Sequence, residues 1–415
     1  MSESENISIQ KNMLWNSCGS FIYMLSQWAL TIFIVRISGY EDAGNYSLAM
    51  SISNIFYGIA IYGIRNYQVS DIYHKYTSRQ YIDARYITCG MAYILSMIFV
   101  GLNSYDLYKV LIILIFMVFK MHEAIIDVYH GIDQMLWRLD IAGKSYILRS
   151  FTTFFGFIGC LFFSKNLFLS ILIMTICAYL CICLYDIPNV KKIEDISLDR
   201  NLKKSKQLLI ECAPLVIYLF MSTCITSIPR YILEIFEGSE ILGIYSSIST
   251  PAIIVQVMAS YVFSPLMSLF AQSIANKDRK KCVGLFVKCL VAISVVGIVG
   301  ICGAKLVGNW GLSLLFGSEI LKYNYLLIPA ILVSILTALV WFFNGILTVF
   351  REFKGLIIAN GVGLLCNILC SVFFINKFGI NGTNYALFVS MGLQIILLVK
   401  YVLMRVNLMR KMKRG

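Results

Sequence analysis

Gly39-Tyr40-Glu41-Asp42-Ala43-Gly44-Asn45-Tyr46-Ser47 returns as Gly238-Ser239-Glu240-Ile241-Leu242-Gly243-Ile244-Tyr245-Ser246. Both stretches read G-x-E-x-x-G-x-Y-S, and each opens the second hydrophobic segment of its half of the chain. That placement is what a duplication of a multi-span half would leave behind. Working outward, weaker echoes fall in the same frame: Gly131-Ile132 is followed by Arg138 and Lys144, and Gly345-Ile346 by Arg351 and Lys354.

The composition sets the solvent. With 59% hydrophobic and 14% charged residues among 415, there is too little polar surface to cover a water-soluble fold, so the reading is an all-α polytopic membrane protein. Apolar stretches near the roughly 20 residues that span hydrocarbon fall at 13–35, 44–63, 86–102, 107–126, 146–163 and 167–185, then at 208–228, 242–268, 284–304, 324–347, 356–375 and 383–404. The polar start of the chain shows no cleavage pattern, so the first span is expected to be retained.

The net charge of +13 is a topology signal rather than a sign of nucleic acid. Lys and Arg outside the spans divide 24 on one side against seven on the other, the seven being Arg36, Lys109, Lys165, Arg230, Lys305, Lys322 and Lys377. The positive-inside rule then puts both termini in the cytoplasm. The expected organisation is a six-helix bundle over 1–190, a basic linker over 191–206 and a second six-helix bundle over 207–415, parallel because each half has an even number of spans. Thirteen cysteines lie mostly within apolar runs, without metal-site spacing, and read as small apolar residues.

Charges inside spans are the candidate functional residues, because their cost demands a partner or a wet cavity. Lys120, Glu123 and Asp127 share one face of the fourth span, within about 60° at about 100° per residue. They form either an ion-pair lock between helices or a cavity charge with a proton-linked carboxylate. Arg65, in Gly63-Ile64-Arg65-Asn66-Tyr67-Gln68, is an interfacial anchor or a head-group contact. Arg36, Arg149, Lys288 and Arg230 are individually anchors or structural pairs, Arg230 with Glu234, and collectively a cationic path. Asn16, Ser20 and Gln27, with Asn360 and Asn367, read first as helix-packing residues. Glu41 and Asp42 raise an enzyme reading, since membrane glycosyltransferases keep acids in outer loops. Only Glu41 recurs, as Glu240, which favours an acid at a helix N-terminus.

Outer loops are expected to be short, the longest running over 305–323. His74, His122 and His130 form no metal spacing, and no P-loop is present, so neither a cofactor nor direct ATP use is expected.

With these residues in view, the chain resembles the Wzx-type flippases of polysaccharide repeat units, in the multidrug/oligosaccharidyl-lipid/polysaccharide exporter superfamily. The resemblance rests on the order of Arg36 with Gly39-x-Glu41-x-x-Gly44, Gly63-x-Arg65-Asn66-Tyr67-Gln68, Asp127-Val128-Tyr129-His130-Gly131-Ile132-Asp133-Gln134, Pro229-Arg230-Tyr231 and Phe378-Gly379-Ile380-Asn381-Gly382. It implies two six-helix bundles opening alternately to either side of the bacterial cytoplasmic membrane. The implied task is moving a polyprenyl-pyrophosphate-linked oligosaccharide between leaflets for O-antigen, lipopolysaccharide or capsule. Membrane lipid, a polysaccharide polymerase and chain-length proteins are the implied partners. Arg36, Arg65, Lys120, Arg149 and Arg230 are the expected substrate contacts, with Glu123 and Asp127 as coupling or structural charges. The alternatives are an ion-coupled drug or metabolite exporter on the same fold and a membrane polymerase or glycosyltransferase.

Overall fold

The computed structural model describes residues 3–71, 74–196, 201–263, 266–276 and 278–412, and among them there are helices and no strands. The chain divides into two compact units, Met1–Thr223 and Cys224–Gly415.

The first unit contains α1 (Glu3–Ser38), α2 (Tyr40–Ile61), α3 (Ile64–Ser70), α4 (Ser78–Leu102), α5 (Leu107–Met135), α6 (Leu139–Ser164), α7 (Leu167–Cys181) and α8 (Ile187–Ile193), followed by the beginning of α9 (Leu202–Phe263). α1 lies along α6, and α5 packs against α2, α4 and α7. The α1–α6 approach is close because glycine faces backbone. A Cβ on Gly19 would overlap the Gly143 carbonyl, and one on Gly143 would strike the backbone of Trp15. Small residues at such a crossing let dispersion act between backbones, which is what holds helices together in lipid.

The second unit contains the rest of α9, then α10 (Met267–Ala275), α11 (Arg279–Phe316), α12 (Leu327–Val349), α13 (Phe353–Phe378) and α14 (Gly382–Met412). α14 packs on α12 and α13, and α11 on α12. The stretch expected as the longest outer loop is helical instead: α11 continues to Phe316 and a 3₁₀ segment follows over Ser318–Leu326. The polar residues there suggest a loop, but their backbone hydrogen bonds are made within helix.

Nine stretches among the described residues are long and apolar enough to cross a membrane. Leu202–Phe263 holds two spans separated at Gly238, and Phe353–Leu408 holds two separated near Gly379. α5, with 29 residues, is a further helix of spanning length whose charges hide it from hydropathy. These together give the twelve spans read from the sequence. Large apolar side chains such as Phe163, Leu306 and Leu369 point outward, as a multi-pass membrane protein requires.

The repeated motif has a physical meaning. Gly39 (φ 90°, ψ −176°) and Gly238 (φ 84°, ψ 174°) adopt the same conformation, one that is open essentially to glycine alone. Each breaks the chain between two long helices, Tyr46 and Tyr245 are buried alike, and Glu41 and Glu240 sit exposed near the new helix start. The second echo is also geometric. α5 ends with Trp137 at φ 57°, bonds from Leu136 N–H to Ile132 O (3.0 Å) and from Arg138 N–H to Asp133 O (2.8 Å). α12 ends with Arg351 at φ 54° and the corresponding bonds Phe350 to Ile346 (3.0 Å) and Glu352 to Leu347 (2.9 Å). Both are left-handed caps that satisfy the last carbonyls of a helix.

Candidate functional site

The site is built along one face of α5. Lys120, Glu123, Asp127, His130 and Gln134 follow one another at three- and four-residue steps, so their side chains share a stripe. Most of the expected site residues meet there, in two linked groups.

In the first group, Lys120 Nζ pairs with Glu123 Oε2 at 2.6 Å and lies 5.3 Å from the centre of the Tyr57 ring. The other Glu123 oxygen accepts the Tyr23 hydroxyl of α1. The Tyr23 ring in turn faces the Arg149 guanidinium of α6 at 4.1 Å, and Tyr146 faces the same group at 5.2 Å. Arg149 is 2% exposed, and its Nε and Nη1 have no hydrogen-bond partner. A desolvated guanidinium over aromatic faces recovers part of its lost hydration, on the order of 2 kcal/mol for a buried cation–π contact. The two unused donors remain available to an acceptor.

In the second group, Asp127 is held between two arginines. Arg65 Nη1 reaches Asp127 Oδ1 at 3.1 Å and Arg85 Nη2 reaches Oδ2 at 2.8 Å. Arg65 Nη2 also donates to Gln134 Oε1 at 3.0 Å. Arg85 is fully buried and donates through Nη1 to Ala60 O at 2.8 Å, an oxygen that also accepts Thr88 Oγ1 at 2.7 Å. The two acids of the α5 stripe that the sequence singled out are therefore both paired.

Arg36 and Arg230 stand elsewhere. Arg36 is exposed in the last turn of α1. Arg230 belongs to the second unit, where its Nη2 donates to Ser249 Oγ at 3.4 Å. Helices of the second unit are joined by neutral amides: Asn360 donates to Asn344 Oδ1 at 3.1 Å, Gln394 to Asn360 Oδ1 at 2.8 Å and Asn367 to Ser390 Oγ at 2.9 Å. Asn360 and Asn367 thus tie α12, α13 and α14 together.

A cavity of about 530 Å³ adjoins the second group in the first unit, lined by Asn12, Val69, Asp71, His74, Gln134 and Trp137 among others. On its rim, Asp71 accepts the N–H groups of Lys75 (3.0 Å) and Tyr76 (3.1 Å) and the Tyr81 hydroxyl (2.8 Å). Burial pushes its carboxyl up, but these three donors pull it further down, leaving it below its ordinary value. A second cavity of about 440 Å³, in the second unit, is lined by apolar side chains and glycines of α9, α11 and α12.

Arg85 escaped the sequence reading, which counted it with the basic residues before the third span. α4 in fact starts at Ser78, behind a capping box in which Thr77 and Gln80 bond each other's backbone N–H. The pattern Thr77-x-x-Gln80 is visible in the sequence and would have placed Arg85 two turns inside the helix. Tyr23 and Tyr146 carried no such signal.

No protein-family model matches the chain. The capsular polysaccharide biosynthesis protein CapF of Staphylococcus aureus is 28% identical over 414 residues, covering 94% of this chain and 98% of CapF. Among solved structures, the lipid II flippase MurJ in an inward closed conformation superposes with a TM-score of 0.74 at 13% identity, covering 94% of this chain and 87% of that one. An inward-facing multidrug resistance transporter of the MATE family, in the MOP superfamily, superposes at 0.68 and 13% identity, covering 96% and 99%. The chain thus shares the all-helical fold of these two solved structures.

Proposed function

We propose that this protein carries a polyprenyl-pyrophosphate-linked oligosaccharide repeat unit from the inner to the outer leaflet of the bacterial cytoplasmic membrane, for surface polysaccharide. The observation that carries the reading is Arg149, a guanidinium buried inside an apolar bundle with two unused donors and a link through Tyr23 to Glu123 and Lys120. A buried charge without full compensation is costly, and cations in a protein-lined space suit an anionic pyrophosphate. The CapF relative, matched over nearly its whole length, supports the saccharide side of the proposal. Sugar and pyrophosphate cannot cross hydrocarbon unaided, whereas a prenyl tail can stay in lipid during transfer. In this reading the termini are cytoplasmic, the two six-helix halves rock to give alternating access, and polymerase and chain-length proteins take over the product.

The test is to delete the gene and locate lipid-linked single repeats by leaflet-selective labelling. Accumulation on the inner leaflet is expected; accumulation on the outer leaflet would refute transfer. Charge-removing changes at two or more of Arg36, Lys120, Arg149 and Arg230 are expected to block export while the protein still inserts. Wild-type polysaccharide in those variants would remove the cationic path from the reading.

A further inference from the structure

The cavity of about 530 Å³ beside the second group has no part in the reading above, and its lining differs in kind from the α5 stripe. Among the described residues that line it there is no lysine or arginine, and there is one carboxylate, Asp71. A phosphate entering it would meet a like charge and no counter-charge. What the walls offer instead is amide, imidazole, indole and thioether groups, from Asn12, Gln134, His74, Trp137 and Met13. Its size falls within the range of small-ligand sites, roughly 300–1,000 Å³.

The polar groups are held by bonds that leave further capacity open. Asn12 of α1 donates its amide N–H to Trp137 O at 2.8 Å, which fixes the side chain and leaves Oδ1 as an acceptor. Gln134 of α5 accepts Arg65 Nη2 through Oε1 at 3.0 Å. Its amide nitrogen bonds to no described residue and remains a donor. His74 follows on from Asp71, whose carbonyl accepts the His74 N–H at 3.2 Å, and its side chain is exposed.

Trp137 is a residue that the fold does not require. It follows α5 in a left-handed conformation, φ 57°, which a bulky side chain rarely adopts. The matching cap in the second unit is made with Arg351 at φ 54°, so the cap itself selects no indole. The Trp137 side chain is 66% exposed and forms part of the cavity wall. His74, on the same cavity, also holds a positive φ of 50°. Backbone strain at two non-glycine positions of one cavity marks it as a site kept for binding and not for stability.

An open indole face beside amide donors and acceptors, with no cation, matches a sugar ring. The apolar C–H face of the ring lies on the indole, and its hydroxyls need partners of both kinds. A nucleotide or an anionic lipid head group would call for the counter-charge that the lining lacks. We infer that this cavity is a saccharide-binding site, with Trp137 as the stacking platform and Asn12 and Gln134 as hydroxyl partners, and that it receives sugar residues of the repeat unit before transfer. The inference rests on the flippase reading above and adds to it a place for the sugars distinct from the cations. Gln134 joins the two, because one side chain both lines the cavity and bonds Arg65.

The experiment is saturation-transfer NMR on the purified full chain in nanodiscs. The probe is oligosaccharide cut from the surface polysaccharide of the source bacterium, free of lipid and pyrophosphate, with maltotriose as the comparison. The wild type is expected to bind the probe saturably and maltotriose more weakly. Trp137→Asn removes the stacking face and keeps the cap, because asparagine tolerates left-handed backbone. Its affinity should fall about tenfold while thermal stability holds or rises. Gln134→Glu keeps the acceptor for Arg65 and removes the donor, and should bind several-fold more weakly. Unchanged affinity in Trp137→Asn makes Trp137 a membrane-interface anchor only and overturns the site. Equal binding of maltotriose, or displacement of the probe by inorganic pyrophosphate, also overturns it. Should Trp137→Asn fail to fold, Gln134→Glu decides, and affinity equal to wild type overturns the site. Transfer plays no part in this measurement. Inner-leaflet accumulation in the deletion strain without probe binding overturns the site and leaves the flippase reading, whereas probe binding with outer-leaflet accumulation overturns that reading and leaves the saccharide site.

Discussion

Asp127 shows how one residue organises the polar interior of the first unit. Its two oxygens are divided between Arg65 and Arg85, so removing Arg85 leaves a half-paired carboxylate and takes one of two side-chain donors from the Ala60 carbonyl, Thr88 Oγ1 remaining. Arg85→Ala is expected to cost about 3 kcal/mol, at the low end for a broken buried pair because Arg65 remains. Thermal unfolding in detergent measures it, and Asp127→Ala in the same background should recover part of the loss. Tyr23 separates two contributions. Tyr23→Phe removes only the bond to Glu123, a loss of about 1.5–3 kcal/mol for a hydrogen bond to a charged group. Tyr23→Leu also removes the face opposite Arg149 and should be measurably less stable than Tyr23→Phe. Asp71 gives a pH signature. Because its carboxyl is held below the ordinary value, its stabilising effect is present above the unfolded value of about 3.9 and is lost as pH falls through the folded one. The stability gap between wild type and Asp71→Asn should therefore be full at neutral pH and close below about pH 4.

At the scale of elements, the breaks between helices matter as much as the helices. Gly39 and Gly238 have open space where a Cβ would go, so backbone strain alone excludes other residues. Gly39→Ala and Gly238→Ala should each lower stability by about 1–3 kcal/mol, and the double variant should be additive within error, as expected of sites that share no partner. An additivity failure in thermal unfolding would show that the two breaks are not independent. The spans themselves were legible because hydrocarbon demands long apolar runs. The start of α4 and the end of α5 were less so: these helices extend into charged sequence, where capping and partners on other helices, rather than hydropathy, decide the length. Asp186 is the clearest instance, since a polar run with two lysine pairs conceals an acid that a π turn over Ile182–Asp186 buries.

The whole molecule distributes its polarity unevenly. The first unit holds its polar interior together with ions, and the second with the amides of Asn344, Asn360 and Gln394. Replacing that amide set jointly by Leu removes donors and acceptors together, which is close to neutral when shape is kept. Under the proposed function, polysaccharide export is thus expected to survive the triple substitution, in contrast to its loss on combined removal of Lys120 and Arg149. Export assays on the two variants, with membrane insertion verified, make the comparison.

By itself, the sequence determined the membrane class, the count of spans, the duplicated breaks and the shared face of Lys120, Glu123 and Asp127. Those follow from properties that act along one chain: apolar length, glycine's backbone freedom and helical periodicity. Only the tertiary structure decided which charge meets which. It set Arg85 against Asp127 and Arg149 over Tyr23, and it buried His130 3.7 Å from Asp186. Pairing in a bundle depends on which helices are neighbours, and residues as far apart in sequence as Arg85 and Asp127 or Tyr23 and Arg149 carry no mutual signal until packing in a medium without water forces each polar group to find a partner or go without.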